Sequence, residues 1–137
     1  VLFRSTFGAD LLRPHRAYTP VLDLIENGSI KGCAHITGGG FQENVDRILP
    51  ADCSAVIETA PWSPDPIFRF LQHMRHVEND EMYRTFNMGI GFVLVAGPAE
   101  AEKIMADSAL GDFEPKSIGR IESGDGAVRL EHGTGGT

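Results

Sequence analysis

Apolar residues recur along the chain in short clusters separated by glycine, proline and small polar runs. The cluster Cys33-Ala34-His35-Ile36 ends in Thr37 and three glycines, and Phe41 to Leu49 then carries apolar residues at helical spacing. This pattern predicts a strand, a tight glycine turn and a helix that Pro50-Ala51-Asp52 ends. Upstream, Tyr18, Val21, Leu22, Leu24 and Ile25 predict a helix over about Pro14–Glu26, which Pro20 bends or delays and Asn27-Gly28 stops. Downstream, Cys53–Glu58 reads as a second strand, and Thr59–Pro66 as a proline-rich loop carrying the only Trp, Trp62, for rigid packing first and ligand stacking as the alternative. Ile67, Phe68, Phe70, Leu71 and Met74 give an amphipathic helix over Pro66–Arg75.

Asn79 reads as the cap of a short helix, Asp80–Thr85, with acids in its first turn. A strand over Phe92–Ala96 follows, and Gly97-Pro98 leads into a helix over Ala99–Leu110. Glu114–Ile121 and Ala127–Glu131 are further strands, and the Asp-Gly chemistry of the turn between them suits a hairpin. The order is α-β-α-β-α-α-β-α-β-β, without an internal repeat. It predicts an α/β (α+β) fold in which helices cover a mixed sheet.

Length and charge narrow the picture. A chain of 137 residues fits one domain with its own core. A net charge of −7 and no basic patch argue against nucleic acid as a main partner, while leaving room for a small anion held by local N–H groups and a few Arg. Cys33 and Cys53 lie on separate predicted strands without metal-type spacing, so the expectation is two buried, reduced thiols in a cytoplasmic protein. No apolar run approaches the roughly 20 residues of a membrane span. Residues 1–5 lack an initiator Met and read as a non-native or truncation-derived start, residues 6–132 as the domain, and residues 133–137 as a flexible tail.

The candidate chemistry sits in two segments. In the first, Thr37, Gly38, Gly39 and Gly40 lie where a strand meets a helix start. Backbone N–H groups and the helix dipole favour an anion there, and glycine lets a phosphate approach closely. A tight connection that binds nothing is the alternative. Asn44 belongs to the same segment. In the second, Arg84 offers a planar fork for phosphate or carboxylate, and Asn87 offers both a donor and an acceptor. Gly89 and Gly91 flank one apolar residue at a strand start, which marks close approach of a ligand or of a packing helix. If the two segments face each other, they form an anion-binding cleft. Arg13, His15 and Arg16 form a small cationic cluster that is either a solvated face or an anion contact. His35 is the one acid–base candidate, with a satisfied structural histidine as the alternative. His73 and His76 near a helix end complement the helix dipole, and no metal site is expected.

Taken together, these stretches are specific. AHITGGGFQENVDRILP (Ala34 to Pro50), Trp62-Ser63-Pro64 to Phe70-Leu71-Gln72, and EMYRTFNMGIGFVLV (Glu81 to Val95) resemble phosphoribosylformylglycinamidine cyclo-ligase, the aminoimidazole ribonucleotide synthetase of de novo purine (IMP) biosynthesis. The resemblance runs from about Thr6 to Glu131 and matches only the carboxy-terminal domain of that family. It implies a three-layer α/β/α unit with a mixed sheet, belonging to a cytoplasmic homodimer. It also implies an ATP- and Mg²⁺-dependent ligase that closes formylglycinamidine ribonucleotide to aminoimidazole ribonucleotide. ATP there activates the formyl oxygen, a nitrogen closes on that carbon, and phosphate leaves. By position, Thr37 to Gly40 would meet a phosphate, and His35, Arg84 and Asn87 would line the cleft. The family's Gly-rich amino-terminal segment and its acidic metal ligands have no counterpart in this sequence. The implied fragment therefore holds no metal ligands and is inactive alone. A stand-alone phosphate-binding or dimerisation module remains the alternative.

Overall fold

The computed structural model describes residues 6–133; the expectations for residues 1–5 and for the end of the tail fall outside them. The mixed α/β class follows the sequence pattern, but the strands divide between two small sheets. β1 (Gly32–His35) and β3 (Phe92–Val95) form an antiparallel pair with Ala34 opposite Val93 and Cys33 opposite Leu94. Successive side chains of a strand point to opposite faces, so the pair has two apolar sides. Ala34 and Val93 enter the main core with Ile36, Phe41, Val45, Ala55, Ile57, Met82, Tyr83 and Met88. Leu94, with Ile30, Ala96 and Phe113, packs on a smaller cluster of Leu24, Ile104 and Leu110. That second cluster is carried by α2 (Val21–Glu26), α6 (Pro98–Ala106) and the 3-10 turn Ser108–Phe113. The β1–β3 pair is thus a middle layer between two helix-bearing sides.

The second sheet has the order β4-β2-β5, with β2 (Cys53–Glu58) central, β4 (Gly119–Ser123) antiparallel to it and β5 (Val128–Glu131) parallel to it. Ser54 to Ile57 are all buried, which explains why β2 reads as a continuous apolar run instead of an alternating one. The expected β4–β5 hairpin is not formed, because β2 lies between the two strands. Their connection must span two inter-strand spacings, about 9–10 Å, and it does so across the start of β2. Gly124 N donates to the Asp52 carbonyl and Gly126 N to the Cys53 carbonyl. Ser54 Oγ donates to Asp125 Oδ1 at 3.0 Å and accepts from Asp125 N at 3.1 Å. Asp125 therefore anchors to β2 instead of closing a two-strand turn, and the Ser54 bond chiefly holds its carboxyl below the usual range.

Helix bounds differ from the sequence expectation where proline decides. α2 begins only at Val21, with Pro20 at its cap, so residues 13–19 run as irregular chain. A further short helix, α1 (Phe7–Leu11), is capped by Thr6 Oγ1 accepting from Ala9 N, and meets the next apolar helix through an edge contact of Phe7 with Phe70. That helix, α4 (Pro66–Arg75), has the expected bounds and ends at His76 in the left-handed conformation. α3 (Gly40–Val45) tightens into a 3-10 turn, Asp46–Ile48. α5 spans Asn79–Thr85; Glu78, not Asn79, occupies its cap position, and the Asn79 side chain turns to His132. Both thiols are half-buried instead of fully buried.

Candidate glycine-rich cleft

β1 delivers Ile36 into the core, and the chain must reverse at once to bring Phe41 and Val45 into the same core. Thr37 to Gly40 make that reversal, with Gly40 N donating to the Thr37 carbonyl at 3.2 Å. Gly39 and Gly40 both have positive φ, 90° and 54°, which favours glycine. Asn44, 8% exposed, closes the turn from the next helical turn. Its Nδ2 donates to the Gly38 carbonyl at 3.2 Å and the Gly40 carbonyl at 2.7 Å. Its Oδ1 accepts from the Thr37 hydroxyl at 3.5 Å. Asn44 therefore uses both of its amide protons in shaping the turn.

The three glycines have different surroundings. A β-carbon on Gly40 would collide with the Tyr83 carbonyl, so Gly40 lets α3 pack against α5. One on Gly39 would strike the Glu43 carboxylate, which lies against that residue. One on Gly38 would meet nothing within 4 Å. Gly38 is the open side of the turn.

The second segment is also internally tied. Arg84 donates through Nε and Nη2 to the two carboxylate oxygens of Glu81, each at 2.7 Å, and the Thr85 hydroxyl donates to the same carboxylate. The Arg84 bond chiefly holds the Glu81 carboxyl below its usual range, and Glu81, with a smaller contribution from Glu43, holds the guanidinium more firmly protonated. The fork read as free for an anion is thus shared with Glu81, a partner signalled by the three-residue spacing on a helix. Asn87 Oδ1 accepts from Gly89 N at 3.0 Å, and its carbonyl accepts from Ile90 N at 2.9 Å. Met88 and Gly89 take φ values of 50° and 94° in this turn. Met88 is the non-glycine residue under strain, and two contacts hold it: its side chain is 3% exposed, and Trp62 Nε1 donates to its carbonyl at 3.0 Å. Trp62 also packs on Phe41 and Tyr83, in line with the packing role expected of its loop.

The two segments meet. Ile36 N donates to the Gly91 carbonyl at 2.9 Å, which carries the β1–β3 pairing to the edge of the glycine turn. At the other end, Gly40 rests on Tyr83. The two glycine-bearing segments are thus joined at Ile36–Gly91 and at Gly40–Tyr83.

His35 stands at the end of β1 on the exposed side, and its Nε2 lies 2.6 Å from Nε2 of His15. The cationic trio of the amino-terminal segment does not act as a cluster. Arg13 pairs with Asp10 and Asp65, His15 turns to His35, and Arg16 donates to the Asp112 carbonyl with its guanidinium 5.5 Å above the Phe113 ring. Tyr18 packs between Phe92 and Phe113; burial pushes its phenol up, which Arg16 partly offsets. Among the described residues, no group of three or more His, Cys, Asp or Glu side chains converges as a metal site. No described helix is long and apolar enough to cross a membrane.

Comparison with known proteins adds a family to this geometry. Residues 5–131 match the model for AIR synthase related protein, C-terminal domain. The chain is 43% identical over 123 residues to the chloroplastic phosphoribosylformylglycinamidine cyclo-ligase of Arabidopsis thaliana, covering 89% of this chain and 32% of the relative. It is 45% identical over 126 residues to the phosphoribosylformylglycinamidine cyclo-ligase of Caldicellulosiruptor saccharolyticus, covering 91% of this chain and 37% of the relative. The chain spans about a third of the length of the curated relatives it matches. The family model covers nearly all of the described fold, both glycine segments included, and the chain belongs to the family of AIR synthase related protein C-terminal domains.

Proposed function

We propose that the chain serves as the carboxy-terminal part of an ATP-dependent phosphoribosylformylglycinamidine cyclo-ligase in purine biosynthesis, and that the glycine-rich cleft is its ligand wall. The observation that carries this reading is identity of 43–45% to such ligases over about nine-tenths of the chain. The meeting of the two glycine segments at Ile36–Gly91 and Gly40–Tyr83 supports it.

In this reading formylglycinamidine ribonucleotide is the substrate, the assembly is a cytoplasmic homodimer, and one phosphate group of substrate or nucleotide lies over Thr37 and Gly38. The open α-carbon of Gly38 and the exposed Thr37 fit an approaching phosphate. Gly39 and Gly40 serve by setting the turn, and Asn44 by pinning it. Asn87 and Gly89 form the opposite rim, Gly91 leaves room for Tyr18 and His15, Arg84 supplies positive charge from beside Glu81, and His35 offers an imidazole for proton transfer. In this reading the metal and most ATP contacts belong to the part of the relatives that this chain does not match, and the chain alone does not turn over.

Titration of the isotope-labelled chain with inorganic phosphate, followed by backbone NMR, tests the ligand wall. The expected result is saturable shifts at Thr37 to Gly40 and at Asn87. Shifts confined to remote residues, or none, would remove phosphate from this domain.

A further inference from the structure

We infer that His15 is the positioning residue of His35: it occupies Nε2 and leaves Nδ1 as the nitrogen that a ligand of the cleft meets. The inference rests on the reading above that His35 borders the ligand wall. It begins from the 2.6 Å separation of the two Nε2 atoms and the tilted stacking of the rings, whose centroids are 4.7 Å apart. A nitrogen–nitrogen hydrogen bond needs one protonated and one bare Nε2. Two bare nitrogens would repel, and protons on both would leave no acceptor. The pair therefore shares one Nε2 proton, and the tautomer of one ring dictates that of the other. When His15 donates, the neutral His35 carries its own proton on Nδ1 and is a donor there. When His35 donates, its Nδ1 is a bare acceptor. An extra proton on the pair leaves Nδ1–H on both rings, the form that suits a phosphate oxygen.

The placement of His15 is built into the fold. Pro20 delays α2, so residues 13–19 run as irregular chain across the end of β1 instead of as helix. Gly91 then makes room: a β-carbon there would collide with the Tyr18 hydroxyl and come within 3.1 Å of His15 Cε1. The Tyr18 ring, 5.7 Å from the His15 ring and 6.0 Å from the His35 ring, walls the pair, and Phe92 backs His35 at 6.0 Å. Gly91 thus acts on the cleft through the histidine pair.

Long-range ¹H–¹⁵N NMR of the imidazole rings tests this in the intact 137-residue chain. In the wild type at neutral pH, the Nε2 protonation fractions of His15 and His35 should sum to about one. In His15→Ala the His35 nitrogens should shift to a different tautomer ratio, and His15→Gln, whose carboxamide both donates and accepts, should restore part of the wild-type ratio. Gly91→Ala should disturb the pair as His15→Ala does. Inorganic phosphate should shift His35 Nδ1 in the wild type and do so less in His15→Ala, while the response of Thr37 to Gly40 persists. Unchanged His35 nitrogen shifts in His15→Ala, or predominant Nε2 protonation on both rings, would overturn the inference. If phosphate moves neither His35 nor the turn while the tautomer coupling is present, the ligand-wall reading fails and the pairing stands.

Discussion

The carbonyl oxygen of Tyr83 occupies the space that a β-carbon on Gly40 would fill. That contact, with the packing of Phe41 on Tyr83, sets the start of α3 against the end of α5. It also separates the three glycines by role. Gly40→Ala must combine a positive φ with a backbone collision, a cost of roughly 1–3 kcal/mol from the dihedral before any displacement of α5 is added. Gly38→Ala meets open space and should stay within about 1 kcal/mol of the wild type. Urea denaturation of the two variants checks this. Equal midpoints would show that the close approach carries no energy.

Asn44 supplies the same turn with its other restraint. Its amide donates to two carbonyls of the turn, and its side chain is buried. Asn44→Ala leaves those acceptors short of a partner at a cost of about 1–3 kcal/mol. Asn44→Asp should be worse, since a carboxylate offers no donor and sets negative charge against two carbonyl oxygens. Amide hydrogen exchange at Gly40 and Glu43 should rise in both variants. Unaltered exchange at these amides would mean that the turn holds its shape without Asn44.

The limits of the sequence reading follow from the same physics. β1, β2, α4 and the glycine turn were legible because each has a local cause: a short apolar run, helical spacing, or residues that tolerate positive φ. The β4–β2–β5 order was not, because Asp-Gly chemistry reports only that the chain turns. Ser54, some seventy residues earlier, decides where Asp125 anchors. Likewise, candidate residues can be named from sequence, but not their partners. Arg84 reads as a free fork until Glu81 is seen on it, and His15 reads as one cation of three until its ring is found on His35. Pro20 reads as a bend or a delay of the helix, and with the delay residues 13–19 bring His15 to the end of β1.

Glu43 places a carboxylate beside Gly39, one residue from the Gly38 position over which a phosphate is proposed to lie. Like charges oppose each other, and an exposed charge pair is worth up to about 1 kcal/mol. Glu43→Gln should therefore tighten inorganic phosphate binding roughly two- to fivefold at low salt, and the gain should shrink as ionic strength rises. Phosphate titrations of both proteins at two salt concentrations give the comparison. Weaker binding in the variant would mean that Glu43 acts by shaping the turn instead of by its charge.

Tyr83 joins the turn to the alkaline stability of the domain. Burial pushes its phenol above the ordinary value of 10.0, although a bond to Thr59 partly offsets this. A raised value means that the folded chain keeps the phenolic proton at a pH where the unfolded chain has released it. The stabilisation is fully present below pH 10 and is lost as pH rises through the folded-state value. The loss per phenol is at most about 1.4 kcal/mol for each pH unit. Tyr18 is shifted in the same direction, also chiefly by burial, and contributes a second loss. Denaturant unfolding between pH 9 and 11.5 should therefore show a steep decline in the wild type and a shallower one in Tyr83→Phe. Tyr83→Phe keeps the ring against Phe41 and Trp62, so its stability at pH 7 reports only the lost hydroxyl contact, while the slope reports the phenol. Parallel declines in the two proteins would show that Tyr83 titrates alike in the folded and unfolded chains.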